Sequence, residues 1–571
     1  LKLAAITATL AVTAGLFLLQ PTAETEVRTS YIVQGQSFEA VLDAVSELDA
    51  EVTHELRVIR SVAVNLTEGQ AKRLQKHAAV SRLFGNQAVE VSGKPSKQSG
   101  GTTAPDVSPS GAVETHFPTL IEANRLHQQG IDGWAIGIAI LDTGMWADAG
   151  LLEDRYGQAR VKVAYDAITD SVTVLRNRST SFGPDKSGHG SHVTSIAASS
   201  REINGSYNGI APGARLIPVI ALDENGQGSY ADVIRAIDWI VANHQRYGID
   251  IINMSLSAPA RSHYWDDPLN QAVMAAWDAG IVVVASAGNT GPAAQTIGVP
   301  GNVPYVITVG AMTDNYTPAD GSDDVLARFS SAGPTVEGFV KPEIVAPGGH
   351  MLGIMQNSAA LATEYSSFHD GDKYFTMSGT SQATAVISGV AALILQMEPG
   401  ISPDAVKCKL MSAARPATNA DGSLAYSVFQ QGAGLVNAYD AVYNWNHDCA
   451  NNGLDIKADI AGTKHFGGRA NQDELGNYYL MGLDGYLWSN NGVAGNGYLW
   501  SNGYLWSDGY LWSNGYLWTD GRADANGYLW SDGYLWSNGY LWSDGYLWSD
   551  GYLWSNGLTE SMSINVWVDQ E

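Results

Sequence analysis

The feature that most restricts this chain is an alternation. From about Thr119 to Asn446, short apolar runs rich in Val, Ile and Ala are separated by segments of helical spacing. Ile136–Leu141, Arg215–Ala221, Ile251–Leu256, Gly280–Ala285 and Tyr305–Val309 have the length of strands, while Ser229–His244 and Pro268–Asp278 repeat apolar residues at helical intervals. Strands without a polar face are buried on both sides, and strands joined through helices run parallel. The pattern predicts an α/β unit, a mostly parallel sheet with helices on both faces. Ligand crevices in such sheets lie beyond the C-terminal ends of the strands. Chemistry is therefore to be sought where these runs stop.

Four segments carry it. Ile138–Leu141 ends in Asp142-Thr143-Gly144. An Asp-Thr-Gly triplet is also half of an aspartic-protease dyad, but that mechanism needs two carboxylates sharing a proton, and the chain has no second such loop. Next, Ser187-Gly188-His189-Gly190-Ser191-His192 sets a histidine between glycines that let backbone pack closely around it. Two histidines three apart are also a metal-ligand spacing, though no nearby Glu completes a zinc-protease pattern. Third, Val282–Ala285 leads into Ser286-Ala287-Gly288-Asn289, where an amide at a turn can project into a crevice or simply serve the turn. Fourth, Ser378-Gly379-Thr380-Ser381 precedes the apolar helix Val386–Leu395. Ser381 then sits at a helix N-terminus, as a cap or where free N–H groups favour an oxyanion.

In the order Asp, His, Asn, Ser, these segments make residues 119–446 resemble the subtilisin-like serine proteases, the subtilases, whose Asp–His–Ser chain order is a standard example of convergent triads. The resemblance implies a serine endopeptidase with Ser381 as nucleophile, His189 as its base and Asp142 holding the imidazole. Asn289 would donate to the oxyanion together with the Ser381 N–H. Asn253-Met254-Ser255-Leu256-Ser257 and Gly226–Tyr230 resemble the two edges that grip an extended peptide, so Ser255, Leu256, Ser257, Gly228 and Tyr230 are expected to bind substrate. There are departures: Gln382 stands where Met is usual, Ala385 where Pro is common, Ser191 for Thr, and Ser257-Ala258 for a Gly pair at the specificity wall, which narrows the first pocket. Catalysis requires no cofactor. The family often binds structural calcium, for which Asp154, Asn204 and Asn208 are candidate oxygen donors.

The flanks complete the organisation. Leu3–Leu19 is uncharged and is followed by small residues near Thr22 and Ala23, so residues 1–23 read as a secretory signal. Residues 27–92 follow a β-α-β-β-α-β order, an α+β ferredoxin-like unit that resembles the family's inhibitory propeptide and so an internal partner of the enzyme. Residues 93–118, rich in Ser, Gly, Thr and Pro, read as a linker open to cutting. An exported chain allows Cys408 and Cys449 to pair; otherwise they are two buried thiols. The formal charge of −26 argues against nucleic acid as a partner, since phosphate neutralisation needs basic residues. An acidic surface fits an exported protein, and the resemblance implies protein and peptide substrates.

After a second linker at 447–475, residues 476–571 form a repeat region. Gly-Tyr-Leu-Trp begins at 485, 497, 503, 509, 515, 527, 533, 539, 545 and 551, always in a six-residue register. Asn-Gly and Asp-Gly between the hexads are hairpin signals, which suggests a β meander. A solenoid of two or three hexads per coil and a poorly ordered aromatic tract are the other readings. Rows of Tyr and Trp suit a surface, a glycan or a second copy of the chain. The rival to a protease is accordingly an adhesion protein that uses these repeats and keeps the α/β unit as scaffold.

Overall fold

The structure is a computed structural model that describes residues 28–86, 116–175, 184–203, 205–315, 321–420, 423–472 and 478–479. It describes backbone alone for Ala88–Val89 and for short strands between Trp488 and Trp548. The signal-like stretch 1–23 and most of the linker 93–118 lie outside the described residues.

The N-terminal unit is built from β1 (Thr29–Gly35), α1 (Phe38–Ser46), β2 (Val52–Leu56), β3 (Ser61–Leu66), α2 (Glu68–Leu74) and β4 (Val80–Gly85). Its four strands lie antiparallel in the order β2-β3-β1-β4. The first helix buries Phe38, Val41 and Val45 against Val33, Val62 and Val64. The second begins at Glu68, where Thr67 and Gln70 form a reciprocal capping box. Beyond β4, the two-residue β5 (Ala88–Val89) leaves this unit and pairs elsewhere.

The larger unit contains β6 (Gly137–Asp142), β7 (Val163–Asp166), β8 (Ser171–Val174), α3 (His189–Ala198), β9 (Arg215–Ile220) and β10 (Gly228–Ser229). These are followed by α4 (Tyr230–Tyr247), β11 (Ile251–Met254), α5 (Pro268–Asp278), β12 (Val282–Ser286), β13 (Ile307–Thr313), β14 (Val325–Leu326) and β15 (Ile344–Pro347). Next come β16 (Met351–Ile354), β17 (Tyr374–Met377), α6 (Thr380–Met397) and α7 (Pro403–Ser412). A nine-stranded sheet runs β14-β13-β12-β11-β6-β9-β7-β8, with β15 also pairing β13. Its six central pairings are parallel, and β8 and β14 run antiparallel to their neighbours. Helices α3 and α6 pack together on one face while α4 and α5 pack on the other. Every residue of α6 from Thr380 to Leu395 is buried, which its continuous apolar sequence anticipates. Ser229 caps α4 in a capping box with Asp232, and Asp267 caps α5 ahead of Pro268.

The N-terminal unit docks on α4 and α5. Val58 N–H donates to Asp238 at 2.7 Å, His54 Nε2 meets Asp232 at 3.0 Å, and Gln34 Nε2 donates to Gln271 at 2.6 Å. Arg82 pairs with Asp266. The chain then lays β5 antiparallel on β10, with Val89 opposite Gly228 and Ala88 opposite Ser229.

Residues 447–475, expected as a linker, are in part folded onto this unit. Cys408 in α7 is disulfide-bonded to Cys449, 41 residues on. Asn451 accepts from the buried Lys407 at 3.0 Å. Buried Asp459 accepts from Tyr264 and Tyr305 hydroxyls at 2.5 and 3.0 Å, and Phe466 and Arg469 are buried as well. A Gly- and Asn-rich composition hid this, because the segment packs by a few specific side chains rather than by periodicity.

In the repeat region the described strands between Trp488 and Trp548 form three sheets, and all of their pairings are parallel. Leu499 stands opposite Leu517 and Leu517 opposite Leu535, a step of 18 residues or three hexads. Successive hexads therefore go to successive sheets, a solenoid with three hexads per coil. The meander expectation fails here, because hairpins would pair each hexad antiparallel with the next. Parallel coils instead put identical positions in register: Trp500, Trp518 and Trp536 form one column. Another column runs Trp488, Trp506, Asp524, Trp542, where the degenerate unit 521–526 interrupts it.

Candidate active site

Two strand ends and two helix N-termini converge beyond the C-terminal edge of the sheet. Asp142 is the last residue of β6, His189 the first of α3, Ser381 the second of α6, and Asn289 follows β12 by three positions. The His189 ring bridges two of the others: Nδ1 lies 2.7 Å from Asp142 Oδ1 and Nε2 lies 3.1 Å from Ser381 Oγ. Asp142 is fully buried, and its Oδ1 also accepts the Thr143 N–H at 2.8 Å. Burial works against a charged imidazole at His189, but the charge and hydrogen bond of Asp142, helped by Asp185, outweigh it and raise the pKa above the usual value. Such a ring is fixed in position, and its Nε2 is free to exchange a proton with Ser381.

Asn289 is held from behind. Its Oδ1 accepts from the Thr380 N–H at 3.0 Å and the Thr380 hydroxyl at 2.9 Å, which fixes the amide's orientation. Its Nδ2 is buried and has no hydrogen-bond partner within the protein. A buried N–H₂ without an acceptor is costly unless a ligand supplies one. This donor stands beside Gly379, on which a Cβ would come 3.3 Å from it. The result is a polar hollow next to the Ser381 N–H at the start of a long helix, where developing negative charge is favoured.

A second layer sets these groups. Asp185, fully buried, accepts from Thr143 Oγ1 (2.8 Å), Gly188 N–H (2.9 Å), Ser191 N–H (2.7 Å) and Ser191 Oγ (2.6 Å). It thereby locks the start of α3 to the loop after Asp142. Gly190 is required in this joint, since a Cβ there would lie 2.2 Å from the Gly144 carbonyl oxygen. On the other side, Ser388 donates to Asn253, Asn253 to Ser255 Oγ and Ser255 Oγ to the Ser381 carbonyl, at 2.9, 2.9 and 3.0 Å. The Ser381 hydroxyl also faces the Ser255 carbonyl at 3.1 Å. Asp185 escaped the motif reading. Its signal was an acidic residue four positions before His189, in a stretch otherwise small and polar.

The expected peptide-gripping residues divide. Ser255 adjoins Ser381, Leu256 and Ser257 follow it as buried residues beyond β11, and Gly228 lies in the edge strand β10. Tyr230 does not belong with them: it opens α4, is buried, and donates its hydroxyl to Asp267 at 3.1 Å. The edge strand ends at Ser229, where the capping box turns the chain into the helix. His192 is no metal ligand, since its Nε2 faces the carbonyls of Met351 and Phe375 at 3.1 and 3.0 Å; burial pushes it down to about 3, a neutral packing residue. Gln382 reaches toward His192 Nδ1 at 3.4 Å. Of the calcium candidates, Asn204 lies outside the described residues. Asp154 spends Oδ1 on the N–H groups of Tyr156 and Gln158, Asn208 donates to Leu352, and among the described residues no three acidic, His or Cys side chains gather to hold a metal.

Residues 133–434 match the Peptidase_S8 subtilase family. Serine protease AprX of Bacillus subtilis is 38% identical over 341 residues, which is 58% of this chain and 72% of that protein. Subtilisin DY of Bacillus licheniformis is 33% identical over 320 residues, 56% of this chain and 94% of its own length. Among solved structures, fervidolysin from Fervidobacterium pennivorans, a keratinolytic enzyme related to subtilisin, superposes with a TM-score of 0.56 at 23% identity, covering 74% of this chain and 62% of that one. The fold is thus subtilisin-like α/β, and the class is serine endopeptidase. The chain belongs to the subtilase family.

Proposed function

We propose that the protein is an exported endopeptidase made as a zymogen, in which Ser381 attacks the substrate carbonyl. The observation that carries this reading is the His189 ring hydrogen-bonded at both nitrogens, to Asp142 at 2.7 Å and Ser381 at 3.1 Å. His189 Nε2 takes the Ser381 proton as the C–O bond forms, Asp142 steadies the imidazolium, and the proton passes to the leaving amine. The tetrahedral oxyanion sits between Asn289 Nδ2 and the Ser381 N–H. Water, deprotonated by the same ring, then releases the acyl group.

The N-terminal unit serves as the inhibitor. It docks on α4 and α5, and β5 occupies β10, the edge on which an extended substrate would pair. A cut in the chain between β5 and the catalytic unit frees that edge. Ser257 restricts the residue preceding the scissile bond: a Cβ on Gly298 would lie 1.9 Å from Ser257 Oγ, so the serine closes the space beside Gly288 and Gly298 and favours small side chains. The solenoid binds a surface or glycan through its aromatic columns and does no chemistry.

The test is expression from Ala23 onward beside Ser381→Ala, following chain mass and casein cleavage. Wild type is expected to shorten between residues 90 and 115 and to hydrolyse casein, and Ser381→Ala to do neither. A folded wild type that stays full-length and inactive rejects the reading. Deleting residues 476–571 is expected to leave casein hydrolysis intact and abolish binding to surfaces or glycans.

A further inference from the structure

The segment that opens the catalytic unit touches the nucleophile's loop through side chains that the reaction does not use. His116 precedes the helical turn Phe117–Leu120 and accepts the Thr119 and Leu120 N–H groups on its carbonyl, at 2.8 and 3.0 Å. Its Nε2 lies 2.5 Å from Oδ2 of Asp314, the buried residue that follows β13. The other oxygen of Asp314 lies 3.5 Å from His350 Nδ1. Burial opposes charge on Asp314, yet hydrogen bonds from the two imidazoles outweigh it and hold the carboxyl below its usual range.

His350 stands between β15 and β16 with φ at 52°, a left-handed conformation that a non-glycine residue adopts only when its surroundings enforce it. Its N–H donates to Ser378 Oγ at 2.9 Å, and the neighbouring Gly348 carbonyl accepts the Gly379 N–H at 2.8 Å. Ser378 and Gly379 lead directly into Ser381, and Gly379 borders the unpartnered Asn289 Nδ2. A continuous path therefore runs from His116 to the oxyanion site.

We propose that His116, Asp314 and His350 are positioning residues, a clasp that ties the start of the catalytic unit to the Ser378–Ser381 loop and so sets the oxyanion site. The inference rests on the peptidase reading above. It also places the maturation cut before His116, because a chain trimmed past that residue loses the clasp.

The experiment uses the autoprocessed full chain and a peptide amide substrate. Wild-type turnover, and its loss by about 10²–10³ in Asn289→Ala, establish the peptidase reading by themselves; failure at this stage rejects that reading and says nothing special of His116. His116→Ala is then expected to lower kcat about tenfold at unchanged KM, the effect of a small misplacement of reacting groups. His116→Gln, which can still donate to Asp314, restores most of it. In the Asn289→Ala background, His116→Ala costs less than about threefold more, since both act on one site. Unchanged kcat, a loss carried by KM, or full additivity with Asn289→Ala overturns the clasp. If His116→Ala does not fold, Asp314→Asn replaces it with the same expected pattern. A fully active mature chain whose N-terminus lies beyond residue 116 also overturns it.

Discussion

Asp185→Asn isolates a residue that braces the loop after Asp142 and the helix start on which His189 sits. The carboxylate accepts four hydrogen bonds, two on each oxygen, and donates none. An amide keeps one oxygen, so whichever way it turns, its N–H₂ faces two donors: Thr143 Oγ1 and Gly188 N–H, or Ser191 N–H and Ser191 Oγ. Two hydrogen bonds to a charged group are lost, at roughly 1.5–3 kcal/mol each, which gives about 3–6 kcal/mol of destabilisation. Serine hydroxyls can rotate to other acceptors, so orientation toward Ser191 and the lower end of that range is expected. Thermal unfolding compared in a Ser381→Ala background, where self-digestion cannot interfere, reads this directly. The kinetic arm follows from charge. Asp185 is one of the groups that raise the His189 pKa, so its neutralisation moves the acid limb of kcat/KM to lower pH. An Asp185→Asn protein that melts with the parent and keeps the parental acid limb refutes the reasoning, because it would mean that the joint between Thr143 and α3 bears no strain.

Other consequences can be measured in the same system. Because the folded His189 pKa is raised, the charged ring contributes stability that is full below the unfolded value and is lost as pH rises through the folded one; activity, which needs the neutral ring, shows an acid limb above the ordinary imidazole value of about 6.5, and a limb below it contradicts the Asp142 pairing. Ser257→Gly opens the space beside Gly298 and is expected to raise kcat/KM for Phe or Leu over Ala before the scissile bond by about 10–200-fold, the worth of a filled apolar pocket; an unchanged ratio shows that Ser257 does not set specificity. Replacing Cys408 and Cys449 by Ser removes a 41-residue cross-link worth about 4 kcal/mol in the chain-entropy account, read as a lower melting temperature, and an unaltered melt shows that the C-terminal packing at Asn451 and Asp459 suffices alone.

Under the zymogen proposal, the joining of these parts would hold the chain inactive until it is cut. The N-terminal unit fills the substrate edge with β5, while the segment at His116 already grips the loop of Ser381. What must be severed thus lies between two anchored ends.

Much of this was legible in residue order alone. Continuous apolar runs with helices between them allow few arrangements other than a covered parallel sheet, and the segments around Asp142, His189, Asn289 and Ser381 stand out where those runs stop or helices begin, their roles following from the resemblance to the subtilases. The hexad register likewise determined that the C-terminal region repeats. Tertiary structure decided the rest. The N–H₂ of Asn289 lacks a partner only because Thr380, ninety-one residues away in sequence, turns its amide. Tyr230 reads as part of the edge, yet a capping box at Ser229 turns the chain into α4 and buries it. Hairpin signals in the repeats gave way to parallel coils, because an 18-residue step aligns like positions between coils while a local turn rule sees only one hexad. Asp185 and the His116–Asp314–His350 path left no periodic trace, since hydrogen bonds between distant loops obey distance and direction in space, which local sequence spacing does not record.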